Sequence, residues 1–170
     1  MSDLLLIPPA EGVRTVGRGE SEHFEIANSH FTWKAKGVDT GYAFAIHELP
    51  QERGKDVPRH ASEVFYILEG QVNFMRLTED QLNWVTCAQG DPLIVPPNAF
   101  RSFANRSGVL ARLLSTANQL HQAYFDEAAR TVTASDPLPA GPPEMDALQR
   151  TLAWAPKYNI FFAPLAAPTA

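Results

Sequence analysis

Short apolar runs alternate with polar turn residues from about Val13 to Thr116. The runs are rich in Val, Ile, Phe, Tyr, Trp and Thr, and Gly, Asp, Asn or Pro separates them. They are "EHFEIAN", "HFTWKAKG", "GYAFAIHEL", "EVFYILEG", "QVNFMRL", "NWVTCAQG", "DPLIVPP", "FRSFAN" and "VLARLLS". Because many short strands at spacings of about ten residues are typical of closed or doubled sheets, the pattern predicts an all-β sandwich or barrel.

The period of the pattern changes after Thr116. In "NQLHQAYFDEAARTV" the apolar residues fall at helical spacing, which predicts a helix with one apolar stripe; the stripe is Leu120, Ala123, Tyr124, Ala128 and Val132. After the proline-rich connector "TASDPLPAGPPEM", the pair Pro142 and Pro143 suits the first turn of a second helix. Its apolar positions are Met145, Leu148 and Leu152. The proline-broken tail "APKYNIFFAPLAAPT" is expected to lie along the barrel.

Length and composition narrow the class of protein. The chain has 170 residues, 45% hydrophobic and 19% charged, which is typical of one globular domain. We expect a single domain over 1–170, with a barrel over about 12–117 and the helices and tail over 118–170. A net charge of −5 without a long Lys/Arg cluster argues against nucleic acid as a partner.

The single cysteine, Cys87, excludes an intramolecular disulfide and a cysteine-rich zinc site, and it is expected to pack as a small apolar group. The apolar run "LLLI" near the N-terminus is too short for a signal sequence. No segment has the ~18 apolar residues of a membrane span. These features predict a cytoplasmic protein that does not enter membranes.

The run "EVFYILEG" is apolar on both faces except for Glu63. Alternation places Glu63, Phe65 and Ile67 on one face and Val64, Tyr66 and Leu68 on the other. A strand of this kind is expected to be covered on both sides. A carboxylate that points into such an interior is costly unless it is paired, protonated or bound to a metal.

Two motifs in this chain resemble those of the cupin family. "EVFYILEGQVNF" is similar to the second half of the first cupin motif, in which a Glu precedes a Gly by seven positions, as Glu63 precedes Gly70. "GDPLIVPPNAFRSFAN" is similar to the second motif, which runs from Gly90 through a proline turn to Asn105. The end of the chain resembles the C-terminal extension of small quercetin dioxygenase-like cupins. The resemblance implies a double-sheet jelly-roll barrel with a C-terminal helical extension.

The resemblance implies the four metal ligands of metal-dependent cupins. These are two histidines two residues apart, the Glu of the first motif and a His of the second motif. Here the paired histidine positions fall on Asp56 and Pro58, or on Pro58 and His60 after a shorter loop. The second-motif position holds Arg101, whose guanidinium has no lone pair to donate. We therefore predict a degenerate metal site with His60 and Glu63 as its ligands at most. Asp56, or His47 and His30 from neighbouring strands, are the candidates that would complete a site for a divalent transition metal.

The candidate site residues have plainer interpretations as well. Glu63 can pair with Arg101, since both motif positions face one cavity, or can act as an acid or base together with His60. Phe65, Phe103 and His47 are expected to line the pocket, although strand aromatics are first of all core residues. The remaining histidines, His23, His30 and His121, are expected to be surface or satisfied core residues, and His121, on the outer helix, is the least promising of them as a site residue.

Three functions stay open at this point. The first is a metal-dependent (Fe, Mn, Ni, Cu or Zn) dioxygenase resembling quercetinase. The second is a metal-free isomerase, cyclase or lyase in which His60 or Glu63 moves a proton and Arg101 stabilises negative charge. The third is a non-catalytic binder of a small organic molecule. The residues at the ligand positions favour an aromatic or enolic ligand and no intact metal site, and the resemblance implies a homodimer.

Overall fold

Ten strands and two α-helices make up the part of the chain that a computed structural model describes, residues 15–17, 20–27, 29–51, 63–78, 81–97, 99, 101–137, 144–160 and 162. Within these ranges the side chains of residues 51, 77, 78, 82 and 101 are excepted. The first strands are β1 (His23–Ile26), β2 (Ser29–Ala35), β3 (Ala45–Gln51), β4 (Glu63–Glu69) and β5 (Gln71–Thr78). The others are β6 (Gln81–Ala88), β7 (Pro92–Val95), β8 (Arg101–Ala104), β9 (Ala111–Ala117) and β10 (Arg130–Val132). The helices are α1 (Gln119–Ala128) and α2 (Met145–Trp154), and short 3₁₀ helices cover Gly37–Thr40 and Ala155–Tyr158.

The strands form two antiparallel sheets that share one core. The larger sheet has the order β10-β1-β2-β3-β9-β4-β7, and the smaller has the order β6-β5-β8. Phe65 and Leu113 of the larger sheet belong to the same buried cluster as Phe74 and Phe103 of the smaller one. Each of the nine predicted runs overlaps one of the first nine strands, so the all-β prediction is confirmed, with two sheets packed face to face.

Strand β4 confirms the predicted alternation on one face and corrects it on the other. Glu63, Phe65 and Ile67 are all buried. On the outer face Val64 is 40% and Tyr66 44% exposed, so the described C-terminal helices do not cover this face. Val and Tyr favour an extended backbone even where they are half exposed, so the strand does not depend on a cover from these helices.

Helix α1 is shorter than predicted and presents a different face. It begins after Asn118, whose side chain accepts a hydrogen bond from the backbone N–H of His121 at 3.0 Å, and it ends at Ala128. Val132 belongs to β10, and Leu120 of the predicted stripe is 49% exposed. The buried face consists of His121, Gln122, Tyr124, Phe125 and Ala128.

Helix α1 lies on the concave side of the larger sheet. Phe125 contacts the rings of Phe24, Phe31 and Trp33, which point inward from β1 and β2. The amide oxygen of Gln122 accepts a hydrogen bond from the backbone N–H of Gly37, just after β2. The start of α1 is thereby held against the first three strands of the sheet.

Helix α2 packs on α1 partly through Thr151, which lies outside the predicted apolar positions, while Leu148 of those positions is half-buried. Met145 is 65% and Leu152 43% exposed, whereas Thr151 is buried. The Tyr124 hydroxyl donates a hydrogen bond to the carbonyl oxygen of Thr151 at 3.2 Å. In the tail Ile160 is buried against the core, and Pro142 and Pro143 lie outside the described residues. None of the helices in the described ranges is long and apolar enough to span a membrane.

Candidate functional site

Three polar residues lie side by side on the concave face of the larger sheet. His47 of β3 is paired with Ser115 of β9, and Ser115 is paired with Phe65 of β4. Glu63, two residues before Phe65 on β4, lies opposite Ala117 and is therefore a diagonal neighbour of Ser115. All three side chains are buried, with His47 and Ser115 at 0% and 2% exposure and Glu63 at 5%. The alternation of β3, which buries Ala45, His47 and Leu49, directs His47 inward.

Helix α1 adds a second histidine to this face. His121 Nδ1 lies 2.9 Å from Glu63 Oε1, and the two side chains are 1% and 3% exposed. The distance is that of a charge-assisted pair. The hydroxyl of Ser115 donates a long contact of 3.5 Å to the same carboxylate oxygen. Glu63 thus has an imidazole and a hydroxyl as neighbours in the interior.

Burial decides how this pair behaves. An isolated carboxylate removed from water costs several kcal/mol, and an imidazole that can take up a proton next to it offsets part of that cost. A carboxylate also selects the tautomer and orientation of a neighbouring histidine. The Glu63–His121 pair can therefore hold one proton that is shared between a base and an acid, inside a region from which water is excluded.

Aromatic rings surround the histidines. His47 lies 4.7 Å from Trp33 and 4.9 Å from Phe125, measured between ring centroids, and 6.1 Å from His121. His121 itself lies 4.5 Å from Phe125. The two imidazoles are consequently neighbours in one aromatic compartment between β3 and α1.

A second aromatic group fills the space between the two sheets. Phe65, Phe74 and Phe103 have centroids 5.3 to 5.5 Å apart in each pairing. Phe65 and Phe103 were predicted to share one interior face, and they do meet there. Both are at most 2% exposed and belong to the core cluster, so their role in lining a pocket stays a prediction.

Other predicted site residues fall outside the described part of the chain. His60 and Asp56 lie in the segment 52–62, which is not described. Arg101 begins β8, with its backbone opposite Arg76 of β5, and nothing is described of its side chain. The pairing of Glu63 with Arg101 and the role of His60 therefore stay predictions.

His121 was expected to be the least promising histidine, on an outer helix, but it is buried beside Glu63. A signal was present in the sequence, since His121, Tyr124, Phe125 and Ala128 follow the i, i+3, i+4, i+7 spacing of one helical face. The apolar stripe through Leu120 fits helical spacing equally well. A histidine side chain is costly to bury without a polar partner, so the sequence favours an exposed position until such a partner is known. His30, considered as an interior ligand, lies on the opposite, outer face of the sheet next to His23, whereas His47 lies inside.

The interior donors were compared with the needs of a transition metal, which takes three or four protein ligands. Among the described residues no three His, Cys, Asp or Glu side chains converge closely enough to hold an ion. Glu63 and His121 contact each other, and His47 is a neighbour of His121. The described donors therefore do not by themselves fit the metal site of a metal-dependent cupin.

Comparison with known proteins identifies the fold and no closer relationship. No family model and no curated protein matches the chain. Among solved structures, hydroxypropylphosphonic acid epoxidase from S. wedmorenis is similar with a TM-score of 0.52 at 15% identity, over 65% of this chain and 64% of that chain. An ethanolamine utilization protein from Salmonella typhimurium matches at 0.44 and 17% identity, over 54% of this chain and 69% of that one. A vicilin from Solanum melongena matches at 0.46 and 18%, over 56% and 28%.

Of these three, the epoxidase has a TM-score above 0.5, and it has the cupin fold. At such low identity the likeness concerns architecture alone. Two packed antiparallel sheets and two motifs in the expected order agree with it. The chain is an all-β protein with the cupin jelly-roll fold and a C-terminal helical extension.

Proposed function

We propose that this protein binds a small organic molecule inside the barrel and catalyses a proton transfer on it without a metal. The observation that carries the proposal is the 2.9 Å contact between His121 Nδ1 and Glu63 Oε1, buried from solvent on the concave face of the sheet. A titratable pair in an aromatic interior is the arrangement that acid–base catalysis requires. The reaction class is that of an isomerase, cyclase or lyase.

The expected ligand is aromatic or enolic. Apolar walls with a few convergent polar groups favour a small flat molecule. Among the described residues, the rings that would form such walls are those of Trp33, Phe125 and the Phe65–Phe103 group. A carbonyl compound with an acidic C–H bond meets this description. Arg101 at the second-motif position would stabilise the negative charge of its enolate.

The proton transfer proceeds by one balanced step. Neutral His121 takes the proton from the carbon next to the carbonyl group, and the electron pair of the C–H bond moves into the enolate. The imidazolium formed lies beside the Glu63 carboxylate, so an ion pair appears as the proton moves. The attraction within that pair lowers the barrier to proton transfer by a few kcal/mol at most. Return of the proton to another carbon completes an isomerisation, and loss of a β-substituent completes an elimination. His60 is the other candidate for this proton.

Hydrogen exchange on a panel of carbonyl compounds tests the proposal. Various 2-keto acids and 1,3-dicarbonyl compounds are incubated with the protein in D₂O, and loss of the C–H signal is followed by NMR. We expect exchange on at least one class, with His121→Gln and Glu63→Gln each slowing it by roughly a hundredfold or more. The control is His23→Gln, which removes a histidine from the outer face and should leave exchange unchanged.

The same assay separates the alternatives. Exchange that survives both interior variants contradicts the proposed base. Binding of a compound without exchange supports a non-catalytic ligand-binding protein. Activity that is lost with EDTA and restored by Fe²⁺ or Mn²⁺ supports the dioxygenase alternative resembling quercetinase. The solved iron(II) form of hydroxypropylphosphonic acid epoxidase (HppE) is similar to this chain in fold only, at a TM-score of 0.50.

We propose further that the protein forms a homodimer through the outer face of β4 and β7. Val64 and Tyr66 are 40% and 44% exposed there, and Ile94, which is paired with Val64, is 73% exposed. A contiguous apolar patch on a sheet supports an interface between copies.

Light scattering should give twice the mass of one chain. Ile94→Lys should give a monomer, whereas Val38→Lys, at an exposed apolar residue outside this patch, should not. A monomeric wild-type protein at all concentrations would contradict this interface.

A further inference from the structure

Two histidines meet on the outer face of the larger sheet, on the side opposite to the barrel interior. His23 Nδ1 and His30 Nε2 are 3.1 Å apart, and Thr32 Oγ1 lies 3.1 Å from the same His23 nitrogen. The rings meet edge to face, with centroids 5.3 Å apart and planes at 82°. The cluster belongs to no part of the site proposed above.

The pairing of β1 with β2 holds these side chains in place. His23 is opposite Thr32, and Glu25 is opposite His30, so that the histidines are diagonal neighbours on one face. On the other face Phe24 stacks on Phe31 and Trp33 at 5.0 and 4.7 Å. The strands that carry the histidines are therefore fixed by core packing, and a ligand would meet a pair that is already arranged.

The distance between the two nitrogens suits one shared ion. Zinc binds an imidazole nitrogen at about 2.0–2.1 Å, which puts two such nitrogens about 2.9 Å apart at a right angle and about 3.4 Å apart at a tetrahedral angle. The observed 3.1 Å lies between these values. Without an ion, one of the two nitrogens must carry a proton to hydrogen-bond the other. On ion binding that ring must take its other tautomer, and the ion would lie to the side of the line that joins the nitrogens, since two bonds of about 2 Å do not fit in line across 3.1 Å.

The charges around the pair do not oppose a cation. Glu25 is bound to Arg130 through a 3.1 Å contact, so these two charges offset each other. The carboxylate of Asp136 lies within electrostatic reach of both His30 and Arg130. His30 is 7% exposed and His23 more exposed, so an ion can enter from the solvent side of His23.

We propose that His23 and His30 chelate a divalent ion of the zinc, nickel and copper class, and that the bound ion clamps β1 to β2. Imidazoles suit these ions, whose affinity rises from zinc and nickel to copper. Water would fill the remaining positions, since no third His, Cys, Asp or Glu converges on the pair among the described residues. The proposal does not depend on the function of the barrel.

Calorimetric titration of the full chain, freed of any affinity tag and of metal, tests this site. The probes are ZnCl₂, NiCl₂ and CuCl₂. We expect one equivalent of each to bind through this pair and to raise the unfolding temperature, and His23→Gln and His30→Gln each to weaken binding at least tenfold. Circular dichroism of the ion-free variants is the check that they fold.

Two controls make the result decisive. Glu69→Gln removes an exposed carboxylate of β4 and should change the dissociation constant by less than threefold. A tenfold loss in Glu69→Gln would mean that the ion binds away from the two imidazoles, which overturns the proposal. Binding that is insensitive to both histidine variants but is lost in Glu63→Gln or His121→Gln would assign the ion to the barrel and would overturn it as well.

Discussion

Gly70, the glycine of the first motif, lies in the turn between β4 and β5. Its φ is +71°, a conformation that residues with a side chain rarely adopt. A Cβ added there would lie 3.0 Å from the carbonyl oxygen of Leu110 and 3.2 Å from Ala111 Cα. Two independent constraints, the turn and the close approach of a neighbouring backbone, therefore require glycine at this position.

The substitution Gly70→Ala should destabilise the protein more than Gly41→Ala. Gly41 has a similar φ of +62° but nothing within 4 Å of an added Cβ, so its substitution should cost about 1 kcal/mol from backbone strain alone. Gly70→Ala should cost roughly 1 kcal/mol more, because backbone atoms must move to accept the methyl group. Urea denaturation of both variants measures the difference, and equal losses would mean that the Leu110 contact yields freely.

Cys87 shows that a residue can be interpreted correctly from the sequence alone. Its side chain is buried in the core cluster as predicted. Burial, and to a lesser degree the charge of Asp91, raises the pKa of the thiol above its ordinary value. The residue packs as a small apolar group with little thiolate character.

At the scale of elements, a charged cluster ties three strands of the larger sheet together. Glu48 of β3 accepts hydrogen bonds from Arg112 of β9, one of them from Nε at 2.7 Å, and lies 3.0 Å from Nζ of Lys34 of β2. Desolvation by burial raises the pKa of Glu48, but the hydrogen bonds and charges of Arg112 and Lys34 outweigh it, so the pKa is lowered overall.

This cluster should make stability depend on pH in the acid range. A carboxylate whose folded-state pKa is lowered stabilises the fold at pH values above its ordinary pKa, and that contribution is lost as the pH falls through the lowered value. Glu48→Gln should therefore cost about 1 kcal/mol at pH 7, after allowance for solvent screening, and less at pH 3. The matched control is Glu69→Gln, since Glu69 is 63% exposed and 3.8 Å from Arg112. A loss from Glu48→Gln that is the same at both pH values would contradict this account.

The sequence predicted that helix α1 exists, but not which of its faces turns inward. The start at Asn118 and the helical spacing are local properties, and both could be read from the sequence. Which face turns inward depends on the partners that the face meets, Glu63 for His121 and the backbone of Gly37 for Gln122. These partners are more than fifty residues away in the chain, so the periodicity alone could not decide the phase.

At the scale of the whole molecule, the barrel and its C-terminal extension share one core. Phe125 and Tyr124 of α1 belong to the same buried cluster as Phe31 of β2 and Phe74 of the smaller sheet. Ile160, beyond α2, belongs to it too. The described strands and helices thus pack on one core, and the single domain over 1–170 stays a prediction.

The protein should therefore unfold in one transition, with equal calorimetric and van't Hoff enthalpies. Tyr124→Ala removes a fully buried ring and the hydrogen bond to Thr151, and it should cost about 3–5 kcal/mol without splitting the transition. Leu152→Ala, at a residue 43% exposed on α2, is the control and should change stability little. Loss of the helical signal ahead of the sheet signal would instead show that the extension is a separate unit.

The sequence by itself determined the strands, the alternation of β4 and the fold, because each rests on neighbours close in the chain or on motifs with a fixed separation. It also placed Glu63, Phe65, Phe103 and His47 in the interior. Only the tertiary structure decided that His121 lies beside Glu63 and near His47, and that His23 meets His30 on the outer face. The physical reason is that a polar side chain is buried only where a distant segment offers it a partner, and strand order and helix docking supply that partner.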